Sequence, residues 1–322
     1  MSLRVVAPVD DEPHAASEAL GWSESYSFHV VHPMERLALL TRIGVRPNEG
    51  IMDVGLDVYP SDGGLLAARH VRPIEDGAVD LEVEGVKYEM IDPLVEWRIS
   101  YDGPAHSLRS SRDASSHDAW HKSRLERLFV DLTFRAEALP AALDSAPDRF
   151  GQPGRFTGQV WISGDEYSFD VPGVRERTWG ESGVVLPELR RRMWVRFDDG
   201  RGLVLDRRVE GGASRTIGWA VDRGTELRSV TESTWKTEPE PDGYWQRAMD
   251  VVAVDDRGNE WKVRGDVLQL APLPTVRGKV QAVVVSSVVL LQCGDAKGLG
   301  IVEYLHQLDG EGQPLRPIAQ WG

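Results

Sequence analysis

The segment Trp22-Ser-Glu-Ser-Tyr-Ser-Phe-His-Val30 alternates between large and small side chains, and this alternation decides the fold class of the chain. Successive side chains of a β-strand point to opposite faces of a sheet, so a period of two predicts a strand. One face then carries Trp22, Glu24, Tyr26, Phe28 and Val30, and the other carries Ser23, Ser25, Ser27 and His29. Glu24 falls on the aromatic face, where we expect it either to be paired within a core or to be exposed at the mouth of a barrel.

The same period recurs along the chain in short runs that are separated by turn residues. Residues 36–45 and 51–59 alternate on either side of Arg46-Pro-Asn-Glu-Gly50, and Asp198-Asp-Gly-Arg201 separates two later runs. The 322 residues include 32 glycines, 19 prolines and 11 tryptophans, which is typical of many short strands around aromatic-rich interiors. The sequence therefore predicts an all-β protein without long helices.

A chain of 322 residues is expected to form about two domains. Residues 125–137 alternate like the closing strand of a first domain, and residues 140–154, with three prolines and two glycines, have the composition of a linker. We therefore expect an N-terminal β-domain at 1–145 and a C-terminal β-domain at 146–322. Residues 105–124 lack an apolar period and are expected to form a surface loop or a lid.

Aromatic residues are frequent in the second half of the chain. A β-barrel or a strongly bent sheet around an aromatic-lined cavity would use them, although most of them, taken individually, are explained as ordinary core residues. They are Trp179, Trp194, Trp219, Trp235, Tyr244, Trp245, Trp261 and Tyr304.

Charge and cysteine content exclude several classes of protein. Aspartate and glutamate outnumber lysine and arginine by 51 to 37, and the net charge of −14 disfavours nucleic acid as a partner. Cys293 is the single cysteine, so there is no disulfide framework and a cytoplasmic location is expected. The first residues lack the apolar core of a signal peptide, and the apolar run at 280–293 is too short and too polar to span a membrane. We expect a soluble protein, and homodimer formation is left open.

The motifs of several standard chemistries are absent from the sequence. There is no Gly-x-Ser-x-Gly, no phosphate-binding loop and no His-Glu-x-x-His. His117 and His121 have a spacing that can bind a metal, but no third ligand is evident nearby and solvated histidines are favoured. No metal and no cofactor are therefore expected, and acid–base chemistry in an apolar cavity remains.

The most site-like stretch is Val171-Pro-Gly-Val-Arg-Glu-Arg-Thr-Trp-Gly-Glu-Ser-Gly183, which places four charges around Trp179. One interpretation is a functional pocket, and the other is an arginine stacked on a tryptophan and paired with a glutamate to close one end of a barrel. A glutamic acid among aromatic rings keeps its proton and can protonate an alkene or enol. The acid candidates are Glu24, Glu176, Glu181 and Glu303, with Tyr26 and Tyr304 as proton partners.

Several short motifs resemble the hydroxyneurosporene synthase (carotenoid hydratase)-like superfamily, and most closely its actinobacterial branch with two lipocalin-like domains. The resemblance rests on these stretches: Trp22-Ser-Glu-Ser-Tyr-Ser-Phe28, Arg46-Pro-Asn48, residues 97–104, residues 175–180 and Gly298-x-Gly-x-x-Glu-Tyr304. It implies two lipocalin-like (calycin) β-domains in tandem, with relatives that include hydratases of isoprenoid double bonds and pericyclic or cationic cyclases.

The second-domain motif of that branch reads Arg-Asp-His-Ser-Trp-Gly-x-Arg, and this chain departs from it. Arg175, Trp179 and Gly180 match, whereas Glu176 replaces Asp and Arg177 replaces His. Thr178 replaces Ser, and Ser182 stands at the position of the last Arg. Loss of the histidine removes the natural proton shuttle of the motif.

Two hypotheses follow. The first is a cofactor-independent hydratase, isomerase or cyclase that acts on a hydrophobic isoprenoid- or polyketide-like substrate. Glu176 or Glu24 would donate the proton and Arg175 would orient that acid or a substrate oxygen. The substrate-binding candidates are Trp179, Trp194, Tyr26, Trp219, Glu303 and Tyr304. The second hypothesis is a non-catalytic, lipocalin-like binder of a small hydrophobic molecule.

Overall fold

The fold is described by a computed structural model that covers residues 3–74, 80–143, 146–181, 186–222, 226–277, 279–315 and 318. Strands make up 68% of the structure and helices 6%, which confirms the all-β class. The helical segments are the 3₁₀ turns Pro8–Asp10, Pro47–Glu49 and Ser111–Ser115 and one short α-helix, α1 (His117–Lys122).

Twelve strands belong to a first sheet. They are β1 (Leu3–Arg4), β2 (Glu24–His32), β3 (Leu37–Arg46), β4 (Ile51–Tyr59), β5 (Leu65–Pro73), β6 (Glu82–Val83), β7 (Val86–Asp92), β8 (Glu96–Leu108), β9 (Arg124–Ala136), β10 (Ala141–Leu143), β11 (Ala146–Ile162) and β12 (Asp165–Thr178). Eight of them pair in a ring, in the order β2-β3-β4-β5-β8-β9-β11-β12 and back to β2. All of these pairs are antiparallel, so the core lies inside a closed circuit of strands.

Eight further strands form a closed barrel, in which each strand pairs with the next and the last pairs with the first. They are β13 (Leu189–Arg196), β14 (Gly202–Glu210), β15 (Ala213–Val221), β16 (Leu227–Pro239), β17 (Gln246–Asp255), β18 (Glu260–Arg277), β19 (Val280–Cys293) and β20 (Ala296–Gln307). Two lipocalin-like β-units in tandem, as expected, are therefore present.

The chain divides into two compact units at a different position from the expected one. The N-terminal unit comprises Arg4–Arg109 and Asp118–Gly183, and the C-terminal unit comprises Met1–Leu3, Ser110–His117 and Val184–Gly322. Residues 140–154, which have the composition of a linker, contain β10 and the start of β11, and β9 is followed by three more strands of its own unit. β11 and β12 thus belong with the N-terminal unit, because they complete its ring between β9 and β2.

Residues 105–124 combine three kinds of structure. β8 extends to Leu108, Ser111–Ser115 forms a 3₁₀ turn, and α1 follows. The Ser111 hydroxyl is buried and donates a hydrogen bond of 2.7 Å to the carbonyl of Leu270, within the C-terminal unit. This part of the segment is therefore anchored.

Candidate functional site

Strand β12 carries most of the site-like stretch, and its period of two separates the charged side chains. Arg175 and Arg177 point towards the aromatic core of the N-terminal ring, where the guanidinium of Arg177 lies 3.7 Å from the centre of the Tyr26 ring. Glu176 lies between them in sequence and therefore points to the opposite, outward face. Ser182 and Gly183 lie outside the described residues.

Arg175 is held by a buried carboxylate from the N-terminal segment. Its Nη1 and Nη2 donate to Asp11 at 2.7 and 2.9 Å, and its Nε donates to the Gln152 side chain at 2.8 Å. Asp11 also accepts from the backbone of Leu94 and the indole of Trp97. Burial lowers the pKa of the Arg175 guanidinium, and Asp11 opposes this effect. Arg175 is thus fully engaged in closing one end of the ring.

Arg177 and Glu24 form a second buried ion pair beside the first. Nη2 of Arg177 contacts a Glu24 carboxylate oxygen at 2.8 Å and the Tyr26 hydroxyl at 2.9 Å. The same Glu24 oxygen accepts from the backbone N–H of His14 at 2.7 Å. The His14 ring stacks on Trp179, with 4.2 Å between ring centroids. Burial raises the pKa of the Tyr26 phenol, although Arg177 acts against it.

These contacts match the alternative in which charge and tryptophan close a barrel end. They place Glu24 within the core and paired, one of the two outcomes expected for it. The Glu24 carboxylate is thus tied to Arg177 and to the backbone of His14, and both contacts help to close this end of the ring.

Glu176 lies in a different environment, on the outward face of β12. It is 6% exposed, and one carboxylate oxygen lies 3.3 Å from Nη2 of Arg149. The other oxygen lies 3.9 Å from Nε2 of His29, which is 7% exposed. Since Glu176 is paired in register with Ser27, the two serines at 25 and 27 share this face. A buried acid, a histidine and hydroxyls are therefore collected on one surface of the N-terminal unit.

The remaining candidates belong to the C-terminal unit. Trp194 and Trp219 are both paired in register with Val204, so they lie on one row of the outward face. Arg192 stacks on Trp194 at 4.2 Å and forms an ion pair of 3.2 Å with Glu303. Tyr304 follows Glu303 in the strand and points inward, where its hydroxyl lies 2.8 Å from that of Thr237.

The structure thus distributes the predicted site residues over four places. The N-terminal core holds Glu24, Tyr26 and Arg175, with Trp179 at its edge. Its outward face holds Glu176, the C-terminal outward face holds Trp194, Trp219 and Glu303, and the C-terminal barrel interior holds Tyr304. Sequence reasoning missed Asp11, Arg149 and the role of His29. Only His29 gave a signal, since the period of two placed it on the serine face.

Neither a metal site nor a membrane helix is found in the part of the chain that the structure describes. Within it, no group of three or more His, Cys, Asp or Glu side chains is placed to hold a metal ion. No helix there has the length and hydropathy that crossing a bilayer requires.

Solved structures of other proteins share this fold, and two of them are compared with this chain. A candidate AttH from Nitrosomonas europaea superposes with a TM-score of 0.61 at 10% identity, covering 90% of this chain and 93% of that chain. CghA, solved with the compound Sch210972, superposes with a TM-score of 0.59 at 10% identity, covering 88% of each chain. At this identity the likeness is one of fold.

No match was found among curated protein sequences. A family profile does match, over residues 7–308, which is nearly the whole chain. The chain therefore belongs to the family described as domain of unknown function DUF7064.

Proposed function

We propose that the chain is a cofactor-independent hydratase, isomerase or cyclase of a hydrophobic isoprenoid- or polyketide-like substrate, with Glu176 as its proton donor. The observation that carries this proposal is the burial of Glu176 beside His29 and Arg149 on an outward face that also presents Ser25 and Ser27. The resemblance to the carotenoid hydratase-like superfamily supports the substrate class.

The three proposed catalytic residues take different roles. Glu176 would transfer its proton to a double bond or enol, and the cation that forms would either add water and release a proton or lose a proton directly. His29, whose Nε2 lies 3.9 Å from the carboxylate, would take up that released proton and return it to Glu176. Arg149 would stabilise the carboxylate that forms, through its contact of 3.3 Å. Glu24 and Arg175 would act at a distance, since their ion pairs fix the strands that carry His29 and Glu176.

The C-terminal unit supplies a separate proposed site for apolar ligand, at two buried tryptophans on its outward face. Trp194 and Trp219 share a row, and Arg192 and Glu303 lie beside Trp194. Flat indole faces next to a cation can bind a polyene or a planar ring. Substitution of either tryptophan by alanine would weaken substrate binding rather than abolish turnover.

A non-catalytic binder of a small hydrophobic molecule is the second candidate. Arg177 favours it, because it occupies the position of the motif histidine and is committed to Glu24 and Tyr26 inside the ring. The structure of CghA with Sch210972 shows that a protein of this fold takes up a small molecule. In this case the Glu176 surface would bind the polar end of a ligand without transforming it.

Incubation with acyclic isoprenoids and polyenes in deuterated water, followed by mass spectrometry, separates the two candidates. An enzyme would give product with deuterium uptake or added water, and a binder would retain one compound unchanged. We expect Glu176→Gln to lower turnover by about a hundredfold or more, since an amide cannot supply the proton. The control is Glu181→Gln, at an exposed glutamate five residues further along. Unchanged turnover in Glu176→Gln would exclude Glu176 as the donor.

A further inference from the structure

The interior of the C-terminal barrel is apolar at one end and polar at the other. On β13 the inward side chains Met193 and Val195 belong to the apolar core, and the period of two places Arg191 on the same face. Arg191 pairs in register with Tyr304 on one side and with Arg207 on the other. Further polar side chains complete this end of the interior. We call Arg191, Arg207, Thr237, Gln246, Tyr304 and His306 the Arg191 cluster.

Arg191 is a fully buried cation whose hydrogen-bonding capacity is mostly unused. Its exposed fraction is 0%, and its two hydrogen bonds within the described residues are long ones, from Nη1 to the Trp235 carbonyl at 3.5 Å and from Nη2 to the Ile318 carbonyl at 3.4 Å. Its Nε has no hydrogen-bond partner among the described residues. Arg175, by contrast, is buried with two carboxylate contacts of 2.7 and 2.9 Å.

The rest of the cluster adds positive charge and hydrogen-bonding groups. The hydroxyls of Tyr304 and Thr237 lie 2.8 Å apart, and the Tyr304 ring lies 4.9 Å from the Arg191 guanidinium. Gln246 donates to Ser287 at 2.8 Å, while its Oε1 lacks a partner in the described part of the chain. Burial, together with Arg191, lowers the pKa of His306 to about 4, so this ring is neutral at neutral pH.

The cluster therefore has two arginines and, within the described residues, no ion pair to Arg191. Burial lowers the pKa of Arg191, with Tyr304 as the main opposing influence, and no described residue places a carboxylate beside it. A buried charge without a counter-ion is strongly unfavourable, so binding of an anion beside it is favoured. The planar fork of a guanidinium matches a carboxylate in shape and hydrogen-bond spacing.

We infer that the Arg191 cluster is a binding site for the carboxylate of a small organic acid with an apolar body. The carboxylate would accept from the free Nε and the under-used Nη groups of Arg191 and from the Tyr304–Thr237 hydroxyl pair. The apolar body would pack on Trp235 and Ile318, whose carbonyls already contact Arg191. This site is independent of the Glu176 surface and of its proposed function.

Binding of a matched pair of probes to the full-length wild-type protein tests the inference. Titration calorimetry compares decanoate with decanol, which have the same apolar chain and differ in the acid group. We expect decanoate to bind at least about tenfold more tightly at neutral pH, because only it can pair with Arg191. Equal affinities would overturn the proposal. Competition by inorganic phosphate as strong as that by decanoate would overturn the carboxylate assignment in favour of a general anion site.

A variant and a matched control locate the binding site. Arg191→Gln should reduce the affinity for decanoate at least about tenfold, to the level of decanol. Arg190→Gln should leave it unchanged, because Arg190 points outward and contacts Asp206 at 2.9 and 2.6 Å. Decanoate binding that survives in Arg191→Gln would place the ligand elsewhere.

A measurement on the wild type covers the case in which Arg191→Gln does not fold. Carbon NMR of decanoate labelled at its carboxyl carbon reports the pH at which the bound acid takes up a proton. Next to a buried arginine, the bound acid should stay ionised to a pH at least about one unit lower than the free acid does. An unchanged or raised titration point would contradict the inference.

Discussion

Three buried arginines show what an inward-facing cation requires in this fold. Arg175 has Asp11 and Arg177 has Glu24, each at hydrogen-bond distance, whereas Arg191 contacts two backbone carbonyls and an aromatic ring. A buried ion pair offsets the desolvation of both partners only when its geometry is good and its remaining hydrogen bonds are satisfied. Arg175 meets this requirement through Asp11, whereas Arg191 has no such partner among the described residues. This difference separates a contact that closes the ring, at Arg175, from a site that can bind a ligand, at Arg191.

The buried Asp11–Arg175 ion pair should contribute more to the free energy of unfolding than an exposed ion pair of the N-terminal unit does. Asp11→Asn keeps the shape and removes the charge, so Arg175 is left buried without its counter-ion. We expect a loss of about 3–5 kcal/mol in the free energy of unfolding, measured by urea denaturation. Asp131→Asn is the control, because Asp131 also binds an arginine through two oxygens but at 38% exposure, and it should cost less than about 1 kcal/mol. Similar losses in the two variants would contradict this assignment.

His306 should make stability depend on pH in a defined window. Its pKa is lowered from 6.5 to about 4, first by burial and then by Arg191. Between these values the unfolded chain binds a proton that the folded chain does not, so stability falls as the pH is lowered through this window. From about pH 7 to about pH 5.5 this loss is about 1 kcal/mol.

Urea denaturation of His306→Gln at the two pH values isolates this contribution. The variant should lose about 1 kcal/mol less than the wild type does. His121→Gln, at an exposed histidine of α1, should behave as the wild type. An identical pH response in His306→Gln and the wild type would show that His306 is not held neutral in the folded state.

The local pattern of the sequence determined which residues of the candidate site could be predicted. The period of two separated Glu24 and Tyr26 from His29, and the structure has the same division. Arg175 and Glu176 are predicted to act in one site, whereas the structure places them on opposite faces of β12. Asp11 could not be found in this way, because it lies in an irregular segment and reaches Arg175 from 164 residues away in sequence. Contacts of this kind depend on the closed ring and leave no local signal.

Among the secondary-structure elements, β11 is a strand whose amino-acid composition wrongly indicates a linker. Its glycines and prolines suggested a linker, but the glycines permit close packing of the ring instead. A Cβ at Gly154 would lie 2.4 Å from the Phe134 ring, and one at Gly158 would lie 2.1 Å from the Asp131 carbonyl. Gly173 on β12 has the same role beside Phe156. Glycine in a strand indicates close backbone approach as readily as it indicates a break.

Two strand glycines of the N-terminal ring form a matched test of this interpretation. A Cβ at Gly173 would lie 2.5 Å from the Phe156 ring and 2.7 Å from the His29 carbonyl, whereas a Cβ at Gly55 would meet nothing within 4 Å. Gly173→Ala should destabilise the protein by about 1–3 kcal/mol through overpacking. Gly55→Ala should be neutral or stabilising by up to about 1 kcal/mol, because it restricts the unfolded chain. Equal effects in thermal denaturation would mean that Gly173 is not closely packed.

At the scale of the whole molecule, the sequence predicts two β-units but not where the first one ends. The all-β class follows from periodicity that each strand carries by itself. The division depends instead on which strands close the ring, and this is set by pairing between β12 and β2, whose paired residues lie more than 140 positions apart. The position at which the first unit ends is therefore indicated better by the number of strands that a barrel needs than by the linker-like composition of residues 140–154.

Two fragments separate the expected division from the observed one. The strands β11 and β12 contribute Phe156, Val160, Ile162, Phe169 and Val171 to the core of the N-terminal unit. At about 1.5–3 kcal/mol for each buried side chain, their loss amounts to roughly 8–15 kcal/mol, which is comparable with the whole stability of a domain. We therefore expect residues 1–145 to be unfolded in solution.

Residues 1–183 retain both strands and should show strand-type circular dichroism and a cooperative urea transition. The comparison is informative because the two fragments share every residue up to 145 and differ only in the strands that close the ring. A cooperative transition in the 1–145 fragment would mean that β2 to β9 form a stable core by themselves. Failure of the 1–183 fragment to fold would mean that closure of the ring is not sufficient for an independent unit.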